Sequence, residues 1–288
     1  MTVTSRDSWA EWLLERRFGG DDAVARVGLE KLARVRDRIL DDASFAAGET
    51  LLDVGCGDGL IAFGALERGA GRVVFADVSQ ELLDTCRSIA DDLGVLDRCE
   101  FVRTTADDLS PVADASVDVV TTRAVLIYVE DKQRAFDEFH RVLRSGGRVS
   151  LFEQINRHAT FLTAYDVTPV QEVAARVREV YLRRQPESDP MLNFDEHDLL
   201  DFAERAGFER AFVRLELETK PPDPRPWETF VQIVPNPKVP SLGEAMEEAL
   251  GPEERERLTA HLRPLVEQGR GRLRQAGAYV SATKAGSA

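Results

Sequence analysis

Apolar and polar residues follow two spacings along this chain, one typical of buried strands and one of amphipathic helices. Leu51 to Val54 form a mostly apolar run, three alternating glycines follow it, and a helical pattern begins at Leu60. This order predicts a buried strand that turns through a tight loop into a helix. Glycine allows a positive φ and lets a ligand lie against the main chain, and the helix start presents unpaired N–H groups.

The alternation of strands and helices continues beyond this loop. Further strands are predicted at 73–77, 100–103, 117–120 and 148–154. The helix before the last of them is predicted to end at the pair Gly146-Gly147. Strands that alternate with helices imply βαβ units, so the sequence predicts an α/β fold with a mainly parallel sheet.

Three segments lie outside this alternation and are predicted to be mainly helical. We expect a single domain over 1–288 that consists of an N-terminal helical cap segment at 1–48, the core at 49–156, a cap insertion at 157–194, a second part of the core at 195–220, a second cap insertion with two helices at 221–270, and the last strand and tail at 271–288. The three added segments are predicted to converge over the strand ends and roof a site there. The alternative for each of them is dimerisation or plain packing.

Two carboxylates accompany the strand ends of the core. Asp53 lies just before the glycines, and the apolar strand at 73–76 ends in Asp77, whose carboxylate can accept two hydrogen bonds from a ribose diol. A dinucleotide fingerprint with Gly55 and Gly57 as its first two glycines needs a third glycine where Leu60 stands. The loop therefore favours a nucleoside ligand other than a dinucleotide.

This combination resembles the class I S-adenosylmethionine-dependent methyltransferases, over roughly Thr50 to Gln154. The core is similar to the small-molecule type found in ubiquinone and menaquinone biosynthesis. The resemblance implies a Rossmann-like, mainly parallel seven-stranded sheet with helices on both faces and an antiparallel final hairpin. It also implies S-adenosylmethionine as the cofactor.

The cofactor contacts that the resemblance implies lie in four segments of the core. The residues are Asp53, Gly55, Cys56, Gly57, Asp77, Val78, Thr105, Ala106, Asp107 and Arg123. Many relatives carry an acid for the adenine amino group where Thr105 stands. Either Thr105 and the neighbouring backbone contact the adenine, or Asp107 replaces the acid. Arg123 either fixes the methionine part or a substrate acid, or forms a salt bridge within the core.

Methyl transfer is an in-line displacement, and a general base is needed only when the acceptor must lose a proton. The candidates are Glu153, at the end of the fifth strand, and His158, just after it. A base role predicts that Glu153→Gln lowers methyl transfer more than cofactor affinity. A lone histidine is more often a surface or structural residue, which is the alternative for His158.

Net charge and cysteine content exclude several classes of binding partner. The formal net charge of −14 argues against a nucleic-acid substrate and against anionic membranes. Three cysteines without a C-x-x-C spacing argue against a disulfide framework and a zinc site, and no metal is expected. No apolar run approaches the roughly 20 residues of a membrane span, and the N-terminus lacks a signal-peptide pattern. We therefore expect a cytoplasmic protein without a membrane partner.

The acceptor is predicted to be a small, largely apolar molecule. Apolar and aromatic side chains typical of such a pocket occur in the added segments, namely Phe161, Leu162, Tyr165, Trp227, Phe230 and Ile233. The same side chains could form the cores of these segments. A protein methyltransferase and a catalytically inactive cofactor-binding regulatory partner are the alternative functions, and a homodimer is possible.

Overall fold

Seven strands form the sheet in a computed structural model of the chain, which describes residues 7–159, 164–186 and 188–286. The strands are β1 (Thr50–Val54), β2 (Arg72–Asp77), β3 (Cys99–Arg103), β4 (Val117–Arg123), β5 (Leu143–Gln154), β6 (Arg210–Lys220) and β7 (Leu273–Thr283). Their order across the sheet is β3-β2-β1-β4-β5-β7-β6.

Most neighbouring strands run parallel. β1 pairs in parallel with β2 and β4, and the parallel pairs β2–β3 and β4–β5 extend the sheet on both sides. β7 runs antiparallel to β5, from Arg148 opposite Thr283 to Gln154 opposite Gly277, and β6 lies beyond β7 at the edge. The predicted fold class, a Rossmann-like sheet with an antiparallel end, is confirmed.

Ten α-helices are described. They are α1 (Ser8–Glu11), α2 (Asp22–Asp42), α3 (Leu60–Glu67), α4 (Gln80–Asp92), α5 (Lys132–Val142), α6 (Gln171–Arg184), α7 (Glu196–Arg205), α8 (Trp227–Gln232), α9 (Leu242–Ala249) and α10 (Pro252–Glu267). A π-helical turn, Trp12–Arg16, continues α1. None of these helices combines the length and the hydrophobicity that crossing a membrane would require.

Capping residues explain where several helices begin. The Ser79 hydroxyl accepts a hydrogen bond from the Leu82 N–H at the start of α4, as its position before the helical pattern predicts. Asp195 caps α7 in the same way and forms a reciprocal capping box with Asp198. Pro252 occupies the first position of α10, where its missing N–H costs no helical hydrogen bond.

The predicted end of α5 is wrong. This helix ends at Val142, and β5 begins at the next residue and runs through the glycine pair. The pairing with β4 shifts from Val117 opposite Leu143 to Val119 opposite Arg148, so the extra residues bulge out of the ladder. Gly146 has a φ of +75°, and a Cβ on Gly147 would lie 2.9 Å from the Arg144 carbonyl oxygen. The glycines therefore form a strand bulge instead of a helix end.

The second insertion also differs from its prediction. It contains three helices instead of two, because the short segment Trp227–Gln232 after the first proline cluster is helical. β7 begins at Leu273, four residues earlier than the predicted start at Gly277. Its outer part is less buried than the part that pairs with β5, which explains why the hydrophobic pattern missed it.

The described residues divide into two compact units. The first, here called the core unit, consists of residues 30–155, 194–215 and 277–286. Its hydrophobic core joins Leu51 of β1 and Phe75 of β2 to Leu40 of α2 and Tyr279 of β7. Every predicted cofactor residue belongs to this unit.

The second unit consists of residues 7–29, 156–159, 164–186, 188–193 and 216–276. It has its own hydrophobic core, in which Val177 of α6 packs with Leu258 and Leu262 of α10. The Trp12 indole N–H donates to the Val234 carbonyl oxygen at 2.8 Å, which ties the N-terminal helix to this unit. The predicted single domain and the predicted roof stay predictions.

The cap of α7 supports a stability prediction. Asp195→Ala removes an acceptor that both the His197 and the Asp198 N–H groups use, at 2.9 and 3.3 Å. The free energy of unfolding should fall by about 1 kcal/mol, measured by urea denaturation. Asp201→Ala, an exposed substitution inside the same helix, is the matched control and should not destabilise. Equal stability of the two variants would contradict the capping role.

Candidate cofactor site

The glycine loop lies where the strand order reverses. β1 has β2 on one side and β4 on the other, and in sheets of this kind a ligand crevice opens at the carboxyl ends of the strands. The loop leaves β1 at this end and leads into α3, and Gly55, Gly57 and Gly59 have φ values of +65°, +55° and +79°. All three conformations favour glycine.

Space as well as conformation requires glycine at position 55. A Cβ on Gly55 would lie 2.3 Å from a methyl carbon of Val125, in the segment that follows β4. A Cβ on Gly59 would lie 2.5 Å from the Phe63 ring. The loop is therefore packed tightly against the neighbouring strand end on one side and against α3 on the other.

Asp53 holds the loop from inside the sheet. Its carboxylate accepts hydrogen bonds from the Ala62 N–H at 3.2 Å and from the Thr121 hydroxyl at 3.0 Å. The residue before α3 is Gly59, which has no side chain to cap the helix, so Asp53 supplies the acceptor from β1. Burial is the largest cause that raises the pKa of Asp53, to about 7.

Asp77 links the second strand to the same loop. One carboxylate oxygen accepts from the Gly57 N–H at 2.9 Å and the other from the Ser79 N–H at 2.9 Å. The side chain is buried, and the Thr104 N–H donates to its backbone carbonyl at 3.0 Å. Since a carboxylate offers about four acceptor positions, a ribose diol can bind to it in addition.

Two predicted contact residues flank these carboxylates. The Cys56 N–H donates to the Ala76 carbonyl at 3.0 Å, which joins the glycine loop to β2. A hydrogen bond with Cys86 and burial raise the pKa of the Cys56 thiol well above its usual range, so it is a packing group here. Val78 is 39% exposed beside Asp77 and offers an apolar surface.

The segment after β3 begins beside Asp77, because the Thr104 N–H donates to the Asp77 carbonyl oxygen. Thr105 is exposed and forms an isolated β-bridge with Asp108. Ala106 is buried, and Asp107 is half-buried. The Leu109 N–H donates to the Glu138 carboxylate at 2.7 Å, which anchors the end of the segment. Both predicted ways of contacting the adenine remain open, through Thr105 with the neighbouring backbone or through Asp107.

Arg123 ends β4 near the carboxylates. Its positive charge lowers the pKa values of both Asp53 and Glu153, against the larger effect of burial. Both alternatives for Arg123, a contact with the cofactor or a substrate acid and a salt bridge within the core, stay predictions. The residue as a whole is half-buried.

Glu153 is fully buried at the end of β5. One carboxylate oxygen accepts from the Val125 and Leu126 N–H groups, both at 3.0 Å, and the other from the Ile127 N–H at 3.4 Å. Burial raises the pKa of Glu153 to about 7. Its described contacts are thus with backbone amides, and the base role stays a prediction.

Comparison with known proteins identifies the family of this core. The family described as "Methyltransferase domain" matches residues 52–151, which include the glycine loop and Asp77. Residues 52–151 are a class I methyltransferase domain. The resemblance that the sequence motifs carry is thereby confirmed.

Curated relatives match a segment of similar length. The chain is 38% identical over 116 residues to the ubiquinone/menaquinone biosynthesis C-methyltransferase UbiE of Hahella chejuensis, and the match covers 40% of this chain and 46% of that protein. The enzyme of the same name in Klebsiella pneumoniae is 34% identical with the same coverage. The matched segment thus spans about half the length of these relatives.

Solved structures share the fold of the methyltransferase domain. The YcgJ protein of Bacillus subtilis has a TM-score of 0.55 at 16% identity, covering 88% of this chain and 99% of that one. A geranyl diphosphate methyltransferase in complex with SAM has a TM-score of 0.53 at 16% identity, covering 94% and 95%. The [4+2]-cyclase SpnF also reaches 0.53 at 21% identity, covering 88% and 82%. At these identities the likeness shows the fold alone.

The second unit holds the remaining predicted residues. His158 is half-buried in the short 3₁₀ turn Asn156–His158, and its base role stays a prediction. Tyr165 and Trp227 both pack on Phe230, with ring centroids 5.7 and 6.0 Å apart. Phe161 and Leu162 lie outside the described residues.

Two residues of the methyltransferase domain were missed by the sequence analysis. Thr121 faces Asp53 across the β1–β4 pair and donates to it, which strand register alone could have indicated. Val125 packs on Gly55, a contact for which no local sequence signal exists.

The buried carboxylate of Asp53 predicts a pH dependence of stability. Because its folded pKa is about 7, against an ordinary value of 3.8, the folded chain holds a proton that the unfolded chain has lost. This group therefore lowers stability as the pH rises between about 4 and 7. Asp53→Asn should gain stability relative to the unsubstituted protein across that window, by about 1–3 kcal/mol, with a plateau above it.

The measurement is urea denaturation of both proteins without ligand, at several pH values from about 5 to 8. Asp92→Asn, at the exposed end of α4, is the control and should give a pH-independent difference. A difference between Asp53→Asn and the unsubstituted protein that shrinks with rising pH would contradict the raised pKa.

Proposed function

We propose that this protein transfers a methyl group from S-adenosylmethionine to a small molecule by in-line displacement. The observation that carries the proposal is the arrangement of Asp77, whose buried carboxylate is hydrogen-bonded to the Gly57 amide of the glycine loop. This places an acceptor for ribose hydroxyls beside a loop whose backbone can be approached closely. Since the matched relatives are covered over about half of their length, the activity of the whole chain is a proposal.

The described residues fit a sulfonium nucleoside along its length. Asp77 accepts the ribose hydroxyls and Val78 offers an apolar surface to the adenine. The segment from Thr105 to Asp107, whose preceding residue Thr104 is hydrogen-bonded to Asp77, provides the remaining adenine contacts. The glycine loop and the partly exposed Arg123 provide donors for the methionine carboxylate. Asp53 serves this site indirectly, since it holds the start of α3.

The cofactor supplies a methyl group that is already strongly electrophilic. The protein's contribution is to hold the acceptor close and in line with it, which can lower the barrier by roughly 7–11 kcal/mol. A positioned base would add a factor of about 10²–10⁴ where the acceptor must lose a proton. Glu153 and His158 are the two residues that the sequence indicates for that role.

We further propose a largely apolar acceptor. The name of the relatives, which refers to quinone biosynthesis, supports it. The net charge of −14 disfavours nucleic acid. The free cysteines Cys56, Cys86 and Cys99 support a reducing compartment, for which we propose the cytoplasm.

Calorimetric titration tests cofactor binding. Adenosylhomocysteine should bind the full-length protein, whereas NAD should not. Asp77→Asn should weaken adenosylhomocysteine binding by about tenfold or more, because the amide accepts fewer hydrogen bonds and carries no charge. Asp92→Asn, at the far end of α4 from the capping Ser79, should leave the affinity unchanged. If the unsubstituted protein bound neither adenosylhomocysteine nor S-adenosylmethionine, the proposal would be wrong.

Incubation with methyl-labelled S-adenosylmethionine and a cell extract tests the acceptor class. We expect the label in small molecules that an organic solvent extracts, since the proposed acceptor is largely apolar. Label in protein would instead support a protein methyltransferase. Cofactor binding without any transfer would support a regulatory, cofactor-binding partner.

A further inference from the structure

We propose that Glu153 is a positioning residue: its carboxylate holds the turn after β4 against the glycine loop and so sets the affinity for the cofactor. This inference rests on the proposed function, because it assigns a role within that site. The turn in question is Val125 to Tyr128, whose last three residues form a 3₁₀ helix.

The turn depends on Glu153 for its backbone hydrogen bonds. No side chain of the turn itself caps its start, so the N–H groups of Val125, Leu126 and Ile127 would lack acceptors. Glu153 accepts from all three, at 3.0, 3.0 and 3.4 Å. Leu126 and Ile127 are buried, so water does not replace these bonds.

The residue before the turn, Ala124, also depends on contacts with other segments. Ala124 has a φ of +54°, a conformation that residues other than glycine seldom adopt. Such a conformation persists only where the surrounding contacts enforce it. The Ala124 N–H donates to the Phe152 carbonyl at 2.9 Å, and Glu153 holds the next three amides. Two consecutive residues of β5 thus fix four consecutive residues after β4.

This turn touches the glycine loop directly. The side chain of Val125 fills the space beside Gly55 so closely that a Cβ there would lie 2.3 Å from its methyl carbon. If the turn moved, Gly55 would lose the surface against which it packs. The loop conformation needed for close ligand approach therefore depends on Glu153 through Val125.

The burial of Glu153 favours this role over that of a base. Its side chain is 0% exposed, and both carboxylate oxygens already accept backbone hydrogen bonds. Protonation would turn one acceptor into a donor facing these amides, and the pKa of about 7 places that change near neutral pH. The charged group that acts on Glu153 is Arg123, which also lowers the pKa of Asp53.

The two roles predict different effects of Glu153→Gln on the affinity for adenosylhomocysteine. A positioning role predicts that the dissociation constant for adenosylhomocysteine rises by about tenfold, since a charged acceptor of buried amides is lost. A base role predicts an unchanged affinity. Asp118→Asn is the matched control, because Asp118 also accepts a backbone N–H, from Thr50 at 2.8 Å, but at the amino ends of the strands. Its affinity should stay within about twofold of the unsubstituted protein.

Two further readouts separate positioning from a general loss of stability. The affinity of the unsubstituted protein should fall between about pH 8 and pH 6, and Glu153→Gln should show a smaller fall. Because Asp53 titrates in the same range, the compared quantity is the difference between the two proteins. Hydrogen exchange of a peptide over 120–130 should be faster in Glu153→Gln and unchanged in Asp118→Asn.

The outcomes are distinguishable. If the unsubstituted protein binds adenosylhomocysteine and Glu153→Gln binds it equally well, the inference is wrong and the proposed function stands. If the unsubstituted protein does not bind, the proposed function fails, and unchanged hydrogen exchange in Glu153→Gln would also remove the anchoring role. If Glu153→Gln does not fold, Val125→Ala tests the contact between the turn and Gly55 instead. An affinity of Val125→Ala equal to that of the unsubstituted protein would then overturn the inference.

Discussion

Buried carboxylates that accept backbone N–H groups hold the strand ends of this protein together. Asp53 accepts from the first turn of α3, Asp77 from the glycine loop and the start of α4, and Glu153 from the turn after β4. In each case the carboxylate stands on one strand and the amides on the segment that follows a strand. Because an unpaired buried amide is costly, these bonds fix the segments far more tightly than their own sequences would.

Burial of these groups has an electrostatic consequence. Removal from water raises the pKa values of Asp53 and Glu153 to about 7, and the nearby Arg123 offsets only part of this effect. Near neutral pH both groups therefore carry only part of their negative charge.

The family match applies to the methyltransferase domain, whereas the second unit is described by its own packing. The family match covers residues 52–151 of the core unit. The second unit has its own hydrophobic core around α6 and α10 and a cavity of about 400 Å³ bordered by Val177, Leu258 and Leu262. The same fold occurs in a protein named a [4+2]-cyclase, so the fold leaves the reaction open.

Local patterns in the sequence were enough for the fold class, most strand positions and the cap at Ser79, because these depend on hydrophobic spacing and on neighbours a few residues away. The glycine pair at 146–147 was misinterpreted, since a helix end and a strand bulge use the same residues and differ only in the pairing with β4. The role of Val125 and the contacts of Glu153 had no local signal, because they join residues 26 or more positions apart. Such contacts arise only when parallel strands bring their ends to one edge, and hydrogen bonds across that edge then select the loop conformations.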